Sequence, residues 1–278
     1  MDRKLIVKRM LHSKFFMTGA IVAVFVVLVS VFSPLLANFD PTTNSLMGRL
    51  LPPGSDGHIL GTDQLGRDIF SRLLLGSRYS LAISASVVAT SAAIGTFLGL
   101  VSGYFGGKVD TLIMRISEIF LSIPQLILAI AIMAMLGTSI VNLLMVLIIT
   151  SWTQYCKLVR NNVLVQKNMD YVHASQVMGA GKLHIMLTQI FPNVTTSLLI
   201  MISQQIGQII MVEASLSFLG LGIQQPTPSW GNMIADGRTY LTTAPWMVIA
   251  PGAALMITVL AFNFLGDGLR DVFDPKRT

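Results

Sequence analysis

The fold is decided by a long stretch that contains no Asp, Glu, Lys or Arg, 119-IFLSIPQLILAIAIMAMLGTSIVNLLMVLIITSWTQYC-156. As one straight helix this stretch would be about 57 Å long, nearly twice the ~30 Å hydrocarbon core of a bilayer. It must therefore cross a membrane twice, and Gly137, Thr138 and Ser139 are suited to the turn between the two crossings. We expect a pair of antiparallel membrane helices here.

Apolar runs continue on both sides of this pair. Residues 15–39, 79–107 and 239–266 also lack charged side chains, and Glu213 alone interrupts 194–235. The chain is 53% hydrophobic and 12% charged, whereas soluble proteins are about a quarter charged. These features predict an all-α integral membrane protein of about six transmembrane helices. The predicted spans are 15–37, 80–103, 114–136, 140–156, 194–219 and 245–265.

The first apolar run follows a basic start, which is also typical of a secretory signal peptide. Because it is longer than the about 7 to 15 apolar residues of a signal, we interpret it as a retained first span. With a cytoplasmic N-terminus, 14 basic residues fall on the inner side and five on the outer side. The positive-inside rule thus predicts that both termini are cytoplasmic. The net charge of +6 then reflects topology and contact with anionic lipid headgroups rather than a nucleic-acid surface.

Two loops are long enough to carry function, an outer one at 38–79 and an inner one at 157–193. In the outer loop, apolar and basic residues alternate in a pattern that suits an amphipathic helix at the membrane interface. The apolar members are Ile69, Leu73 and Leu74, and the basic ones are Arg67, Arg72 and Arg78. We divide the chain into residues 1–79, with the N-terminal cytoplasmic segment, the first span and this loop, and residues 80–278, the remaining transmembrane domain.

The inner loop predicts two short helices. Asp170 is placed as the N-cap of the first helix and Gly179 as its C-terminal stop. The second helix is predicted to begin near Lys182 and to end at Pro192-Asn193, before the fifth span. Its apolar face is formed by Leu183, Met186, Leu187 and Ile190. Such a pair can transmit force, although an interfacial helix resting on the headgroups would have a similar pattern.

Within the spans, small and polar residues mark candidate contact surfaces. Gly95, Gly99 and Gly103 recur every fourth residue of the second span, which indicates close packing against another helix. Pro124 is expected to bend the third span. In the fifth span, a polar stripe with the buried acid Glu213 is a candidate for the translocation pathway or for a subunit interface, the alternative being hydrogen bonding between helices. The stripe comprises Gln204, Gln208, Met211 and Ser215.

The inner loop resembles a known family. Its sequence Tyr171-Val172-His173-Ala174-Ser175, followed by Gly179 and by Pro192-Asn193, is similar to the "EAA" loop of binding-protein-dependent ABC importer permeases. In that family the loop docks into the ATPase subunit, and this chain differs from the motif by His173 in place of the acidic residue, by Ser175 in place of the second alanine and by Gln189 before the proline. The resemblance makes the following residues candidates for ATPase coupling: Asp170, Tyr171, Ala174, Ser175, Gly179, Pro192 and Asn193.

Further motifs resemble the C-type permease subunit of the peptide and nickel branch of these importers. They are Leu60-Gly61-Thr62-Asp63-Gln64-Leu65-Gly66-Arg67-Asp68, Leu216-Ser217-Phe218-Leu219-Gly220-Leu221-Gly222, Pro226-Thr227-Pro228-Ser229-Trp230-Gly231, and Asn263-Phe264-Leu265-Gly266-Asp267-Gly268-Leu269-Arg270-Asp271 with Asp274-Pro275. The resemblance implies a type I ABC importer permease fold in the plasma (inner) membrane of a prokaryote.

The same resemblance implies a set of partners. They are a homologous second permease subunit, two ABC ATPase subunits that bind ATP and Mg²⁺, an extracytoplasmic solute-binding protein and the lipid bilayer. The two Gly-Lys pairs, Gly107-Lys108 and Gly181-Lys182, lack the rest of a P-loop, so we predict no nucleotide, cofactor, metal or catalytic site in this chain.

The sequence leaves alternatives for the cargo and for the class of transporter. Peptides are the predicted cargo, with nickel or another metal chelate as the alternative. A secondary transporter would need ion-coupling residues and commonly has inverted repeats, which are not evident. An intramembrane enzyme is disfavoured because all four histidines lie outside the predicted spans.

Overall fold

The computed structural model describes residues 9–273, and this part of the chain is helical without any β-strand. The basic residues before Arg9 and the Asp274-Pro275 motif lie outside the described residues. The main helices are α1 (Lys14–Val31), α2 (Ile69–Phe105), α3 (Gly107–Leu121), α4 (Gln125–Leu136), α5 (Ile140–Lys167), α6 (Asp170–Val177), α7 (Phe191–Phe218), α8 (Trp230–Gly237) and α9 (Trp246–Phe273).

The helices confirm an integral membrane protein with up to six crossings. The helices α1, α2, α5, α7 and α9 each lie in a single helix long and apolar enough to span a bilayer. The pair α3 and α4, bent by 86°, together has the length and apolar character of one further span. The bend falls at residues 122–124, where Pro124 has no N–H to continue the helix. Gly137, at φ +80°, ends α4, and Ser139 caps α5 by accepting a hydrogen bond from Asn142 N. The predicted turn between the third and fourth spans is therefore present.

Both ends of the described chain lie on one side of the bundle. Gly268, near the end of α9, packs against Phe16, near the start of α1. We call this side the near side and the opposite side the far side. The ends of α2 and α5 also meet on the near side, where Lys167 Nζ donates a 2.6 Å hydrogen bond to Tyr104 O. On the far side Trp246 Nε1, at the start of α9, donates to Thr62 O in the loop before α2, at 3.3 Å.

The outer loop differs from its prediction. The expected interfacial helix is the first part of α2, which runs unbroken for 37 residues, so the proposed division at 79/80 falls inside a helix. This first part is buried rather than amphipathic at an interface, with Ile69 and Arg72 each 1% exposed. Gly76 lies against Trp230 and Ser229, which shows that α8 covers this end of α2. Local sequence could not reveal this cover because α8 follows about 150 residues later.

The glycine repeat of α2 is the contact surface for α5. An added Cβ at Gly95 would lie 2.5 Å from Trp152 O, and one at Gly99 would lie 2.6 Å from Cys156 O. Gly103 likewise faces Val163. These clashes are with backbone or β-carbons, which cannot turn aside. The partner of the repeat is thus a helix of the same chain, and the two backbones approach as closely as small residues allow.

This packing gives a stability prediction. Gly99→Ala is expected to lower the free energy of unfolding by about 1–3 kcal/mol, because α2 and α5 must separate to admit the methyl group. Gly252→Ala in α9 is the matched control, since an added Cβ there meets nothing within 4 Å. Thermal unfolding of both variants in detergent measures the difference. Equal melting temperatures would show that the α2–α5 contact tolerates an added carbon.

Candidate coupling site and pathway face

The inner loop is shorter and more helical than its sequence predicted. The helix α5 continues to Lys167, and from Lys182 the chain is helical without a break to Phe218. The predicted second short helix is thus the start of the α7 span. A π-helical turn at Ile185–Ile190 joins the two parts, and Pro192 falls in the first turn of α7, where its missing N–H is tolerated. The predicted apolar face is only half right, because Leu183 and Leu187 are exposed while Met186 and Ile190 are buried.

The short helix α6 lies between the near-side ends of α5 and α7. Met169 occupies the N-cap, so Asp170 is the first helical residue rather than the predicted cap. Gly179, at φ +82°, ends the helix. Gly179 N donates to Gln176 O and Ala180 N to Ser175 O, the two hydrogen bonds of a Schellman motif. A defined stop at each end makes α6 a rigid unit.

One face of α6 is bound to its own chain. Val172 is fully buried. Ser175 Oγ donates to Tyr171 O at 3.0 Å and accepts from Gln189 Nε2, in the π-helical turn, at 2.5 Å. The substitution of serine at position 175 therefore provides an acceptor for Gln189, the residue that stands before the proline segment.

The Tyr171 hydroxyl connects three helices. It donates to Gln166 Oε1 at the end of α5, at 2.6 Å, and accepts from Asn193 Nδ2 at the start of α7, at 3.2 Å. Asn193 Nδ2 also donates to Gln189 O at 2.7 Å. A displacement of α6 must therefore move the ends of both α5 and α7, or break these hydrogen bonds.

The C-terminal end of α6 has exposed apolar side chains. Val177 is 89% exposed and Met178 is 79% exposed, and Leu183 beyond the turn is also exposed. We call these three side chains the coupling patch. Ala174 lies on the exposed side of α6 as well. Such exposed apolar side chains, on a segment outside the spans, are a candidate interaction surface.

The polar residues of α7 divide between two faces. Gln208 and Met211 are exposed, and Gln204 and Ser215 are partly exposed on the same side of the helix. Glu213 is fully buried on another side, where it accepts hydrogen bonds from Ser80 Oγ at 3.0 Å and from Ser217 Oγ at 2.8 Å. The acid therefore joins α7 to α2 and is not part of the exposed stripe.

The exposed stripe borders a groove. Met211, Ser215 and Phe218 line it from α7 and Ile234 from α8, and its volume is about 350 Å³. Toward the near side, Gln204 Nε2 donates to Asp267 Oδ1 of α9 at 3.0 Å. We call Gln204, Gln208, Met211 and Ser215 the pathway face.

Residues 95–278 match the family described as the binding-protein-dependent transport system inner membrane component. The chain belongs to this family. Residues 3–53 match a second description, the N-terminal transmembrane domain of oligopeptide transport permease C. The protein is thus a multi-span permease of an inner-membrane transport family.

Known relatives of the permease cover nearly its whole length. It is 43% identical to the probable D,D-dipeptide transport system permease protein of Escherichia coli (strain K12), over 93% of this chain and 87% of that protein. It is 41% identical to the dipeptide transport system permease protein of Haemophilus influenzae, over 93% of this chain and 89% of that protein. With the oligopeptide transport system permease protein of Bacillus subtilis it shares 38% identity, over 96% and 88% of the two chains. These similarities confirm the family resemblance that the sequence motifs indicated.

Sequence reasoning missed a buried charge cluster on the far side of the permease. Arg67, 2% exposed, donates from Nε to Asp63 Oδ2 at 2.7 Å, and Arg72 Nε lies 3.4 Å from the same oxygen. Asp236 of α8 lies 3.6 Å from Arg67 Nη2 and accepts from Gln225 Nε2 at 2.9 Å. Burial raises the pKa of Asp236, and Arg67 acts in the opposite direction. The cluster fastens the outer loop to the ends of α2 and α8.

A second ion pair on the near side was also missed. Arg160 of α5 contacts both carboxylate oxygens of Asp110 in α3 at 2.5 Å, and Ser102 Oγ donates to Asp110 as well. The only sequence signal was a charged residue of each sign near the membrane surface. The pair fixes the first turn of α3 to α5.

Proposed function

We propose that this chain is the transmembrane permease subunit of an ATP-driven ABC importer that carries dipeptides or oligopeptides across the plasma (inner) membrane of a prokaryote. The observation that carries the proposal is α6, a rigid helix hydrogen-bonded to two spanning helices and bearing an exposed apolar patch. A membrane protein with such a patch outside its spans needs a partner there.

The proposed partners follow from the two sides of the bundle. Two ATPase subunits bind ATP and Mg²⁺ and contact the near side, one of them through the coupling patch. A solute-binding protein delivers cargo at the far side, and both termini are cytoplasmic. The sequence of this chain has no complete P-loop, which supports a permease that depends on separate ATPase subunits.

The coupling mechanism is mechanical. ATP-driven closure of the ATPases moves α6, and the Tyr171 hydroxyl and the Ser175–Gln189 hydrogen bond carry that movement to α5 and α7. Because α6 is short and capped, it moves as a body rather than deforming. The π-helical turn at Ile185–Ile190 is the hinge at which α7 changes its tilt.

The pathway lies between this chain and a homologous second permease subunit. The pathway face is polar and exposed on a spanning helix, which is unfavourable against lipid and favourable against a wet passage or a protein partner. Gln204, Gln208 and Ser215 offer neutral hydrogen-bonding groups without a fixed charge. Such groups suit the peptide backbone, whose donors and acceptors are present in any peptide sequence.

Peptide cargo is favoured over a nickel or other metal chelate because relatives at about 40% identity are described as dipeptide and oligopeptide permeases. A relative from Escherichia coli O6:K15:H31 is described as a glutathione transport permease, and glutathione is itself a peptide. An ATP-independent secondary transporter is the second candidate class, and the experiment below separates the two.

The test is purification of the tagged chain from native membranes, followed by mass spectrometry and by peptide uptake into liposomes. We expect two ATPase subunits and a homologous permease to co-purify, and we expect uptake to require ATP and a binding protein. A chain that purifies alone and moves solute without ATP would overturn the proposal in favour of a secondary transporter.

Tyr171→Phe tests the mechanical link. The variant keeps the ring but removes both hydroxyl hydrogen bonds, each worth about 0.5–1.5 kcal/mol. We expect peptide uptake to fall several-fold while the ATPase subunits still co-purify and hydrolyse ATP. Tyr240→Phe, in the far-side turn Arg238–Tyr240, is the control and should transport normally. Full transport by Tyr171→Phe would show that the hydroxyl is not needed for coupling.

A further inference from the structure

A basic pocket lies at the near-side membrane surface, between the start of α1 and the end of α9. Its volume is about 470 Å³, and it is lined by Arg9, His12, Ser13, Lys14, Phe15, Asp271 and Val272. None of these residues belongs to the coupling patch or to the pathway face. From this pocket we propose that the permease binds one anionic phospholipid, with the phosphodiester headgroup in the pocket and the acyl chains along α1 and α9.

The charge of the pocket fits a phosphodiester. Arg9 and Lys14 present two permanent positive charges, and Asp271 is the one acid in the lining. Both His12 and Asp271 make interactions of their own. Arg270 is exposed one residue before Asp271. With Arg9, Lys14 and Arg270 against Asp271, the described residues at this surface carry more positive than negative charge, which favours an anion.

The walls of the pocket are fixed by the helix packing beneath it. Gly268 of α9 packs directly on the backbone of Phe16, and Gly19 of α1 packs on the backbone of Leu265. The helices therefore meet closely one to two turns below the pocket and hold its two sides at a constant separation. A preformed site of this kind binds its ligand without first having to order its own walls.

An apolar surface begins at the rim and distinguishes a lipid from a soluble phosphate. Phe15 and Phe264 are in ring contact, with centroids 5.7 Å apart, and both are exposed. Leu260, one turn before Phe264 on the same face of α9, is exposed as well. The basic side chains of the pocket match the headgroup of a phospholipid, and the aromatic and aliphatic side chains at the rim match its acyl chains.

The full-length permease in mild detergent provides the test. Phosphatidylglycerol or phosphatidylcholine is added, and native mass spectrometry counts the retained lipids. We expect selective retention of phosphatidylglycerol and about a thirtyfold loss of that retention in the Arg9→Gln/Lys14→Gln variant, since each of the two basic residues near an anionic headgroup contributes about 1 kcal/mol. The charge-preserving Arg9→Lys/Lys14→Arg variant should retain the lipid. Lys108→Gln/Lys157→Gln, which removes two exposed charges elsewhere on the near side, should also retain it.

Four outcomes would overturn the proposal. Equal retention of both lipids by the wild-type protein would show that the pocket does not prefer an anionic headgroup. Equal loss in the Lys108/Lys157 control, or loss in the charge-preserving variant, would show that the pocket's own charges are not what is recognised. Displacement of the lipid by glycerol phosphate would show a phosphate site that makes no use of the apolar rim.

Discussion

Replacing both Val177 and Met178 by aspartate is expected to abolish peptide uptake and to release the ATPase subunits from the purified complex. The two side chains are the most exposed apolar groups of α6 and make the end of the coupling patch. Placed in an apolar interface, each carboxylate would lose its hydration without gaining a counter-charge, at a cost of several kcal/mol. A loss of about 4 kcal/mol in total would weaken the association roughly a thousandfold.

The fold of this variant should be unaffected because both side chains face away from the chain. Co-purification from membranes and ATP-dependent uptake are the measurements, and the melting temperature in detergent is the check on folding. Thr111→Asp adds one such carboxylate at an exposed position on α3, where the hydroxyl bonds to Gly107 O, and should leave the complex intact. If the aspartate variant still retains its ATPase subunits, the coupling patch is not the docking surface.

The second large effect is expected from Asp63→Asn on the far side. This change keeps Oδ1, which accepts from Leu65 N at 2.8 Å and from Arg67 N at 3.0 Å, and so preserves the turn. It removes the charge that faces two buried guanidinium groups. Breaking a buried ion pair costs about 3–5 kcal/mol because the remaining charge is left uncompensated. We expect the melting temperature to fall by about 10 °C.

Glu118→Gln is the matched control for this variant. Its partner Arg115 lies 3.0 Å away, but both side chains are exposed, at 63% and 76%, so the pair is not buried within the fold. We expect no measurable change in melting temperature. The double variant Asp63→Asn/Arg67→Met should lose less stability than the sum of its single changes, since the two residues contact each other. Additive losses would mean that the cluster is not an interacting unit.

The candidate coupling residues fall into two groups, those bonded within the chain and those that are exposed. Tyr171, Ser175 and Asn193 bond within the chain, and Ala174 is exposed. The resemblance placed all four in one group of coupling candidates. Side chains that fix the helix and side chains that are free for the proposed ATPase contact occupy different faces of α6, because a helix of two turns presents its faces to different surroundings.

The amino-acid sequence by itself determined the membrane character, the number of crossings and their order. Runs without charge can satisfy their backbone only as helices in a bilayer, and their length fixes how often the chain crosses. Local chemistry also placed the turn at Gly137, the bend at Pro124 and the stop at Gly179, because each depends on the backbone of a few neighbouring residues. The glycine repeat of α2 likewise predicted a helix contact, though not its partner.

Tertiary structure decided where helices continue and which polar groups are paired. The first part of α2 is buried because α8 covers it, and α7 begins at the inner loop because hydrogen bonds to α6 support its first turns. The partner of Arg67 in α8, and of Glu213 in α2, lies over 100 residues away. The periodicity of a sequence reports only on residues that are near each other along the chain. A buried charge is stabilised by residues that are close in space and can be distant in sequence.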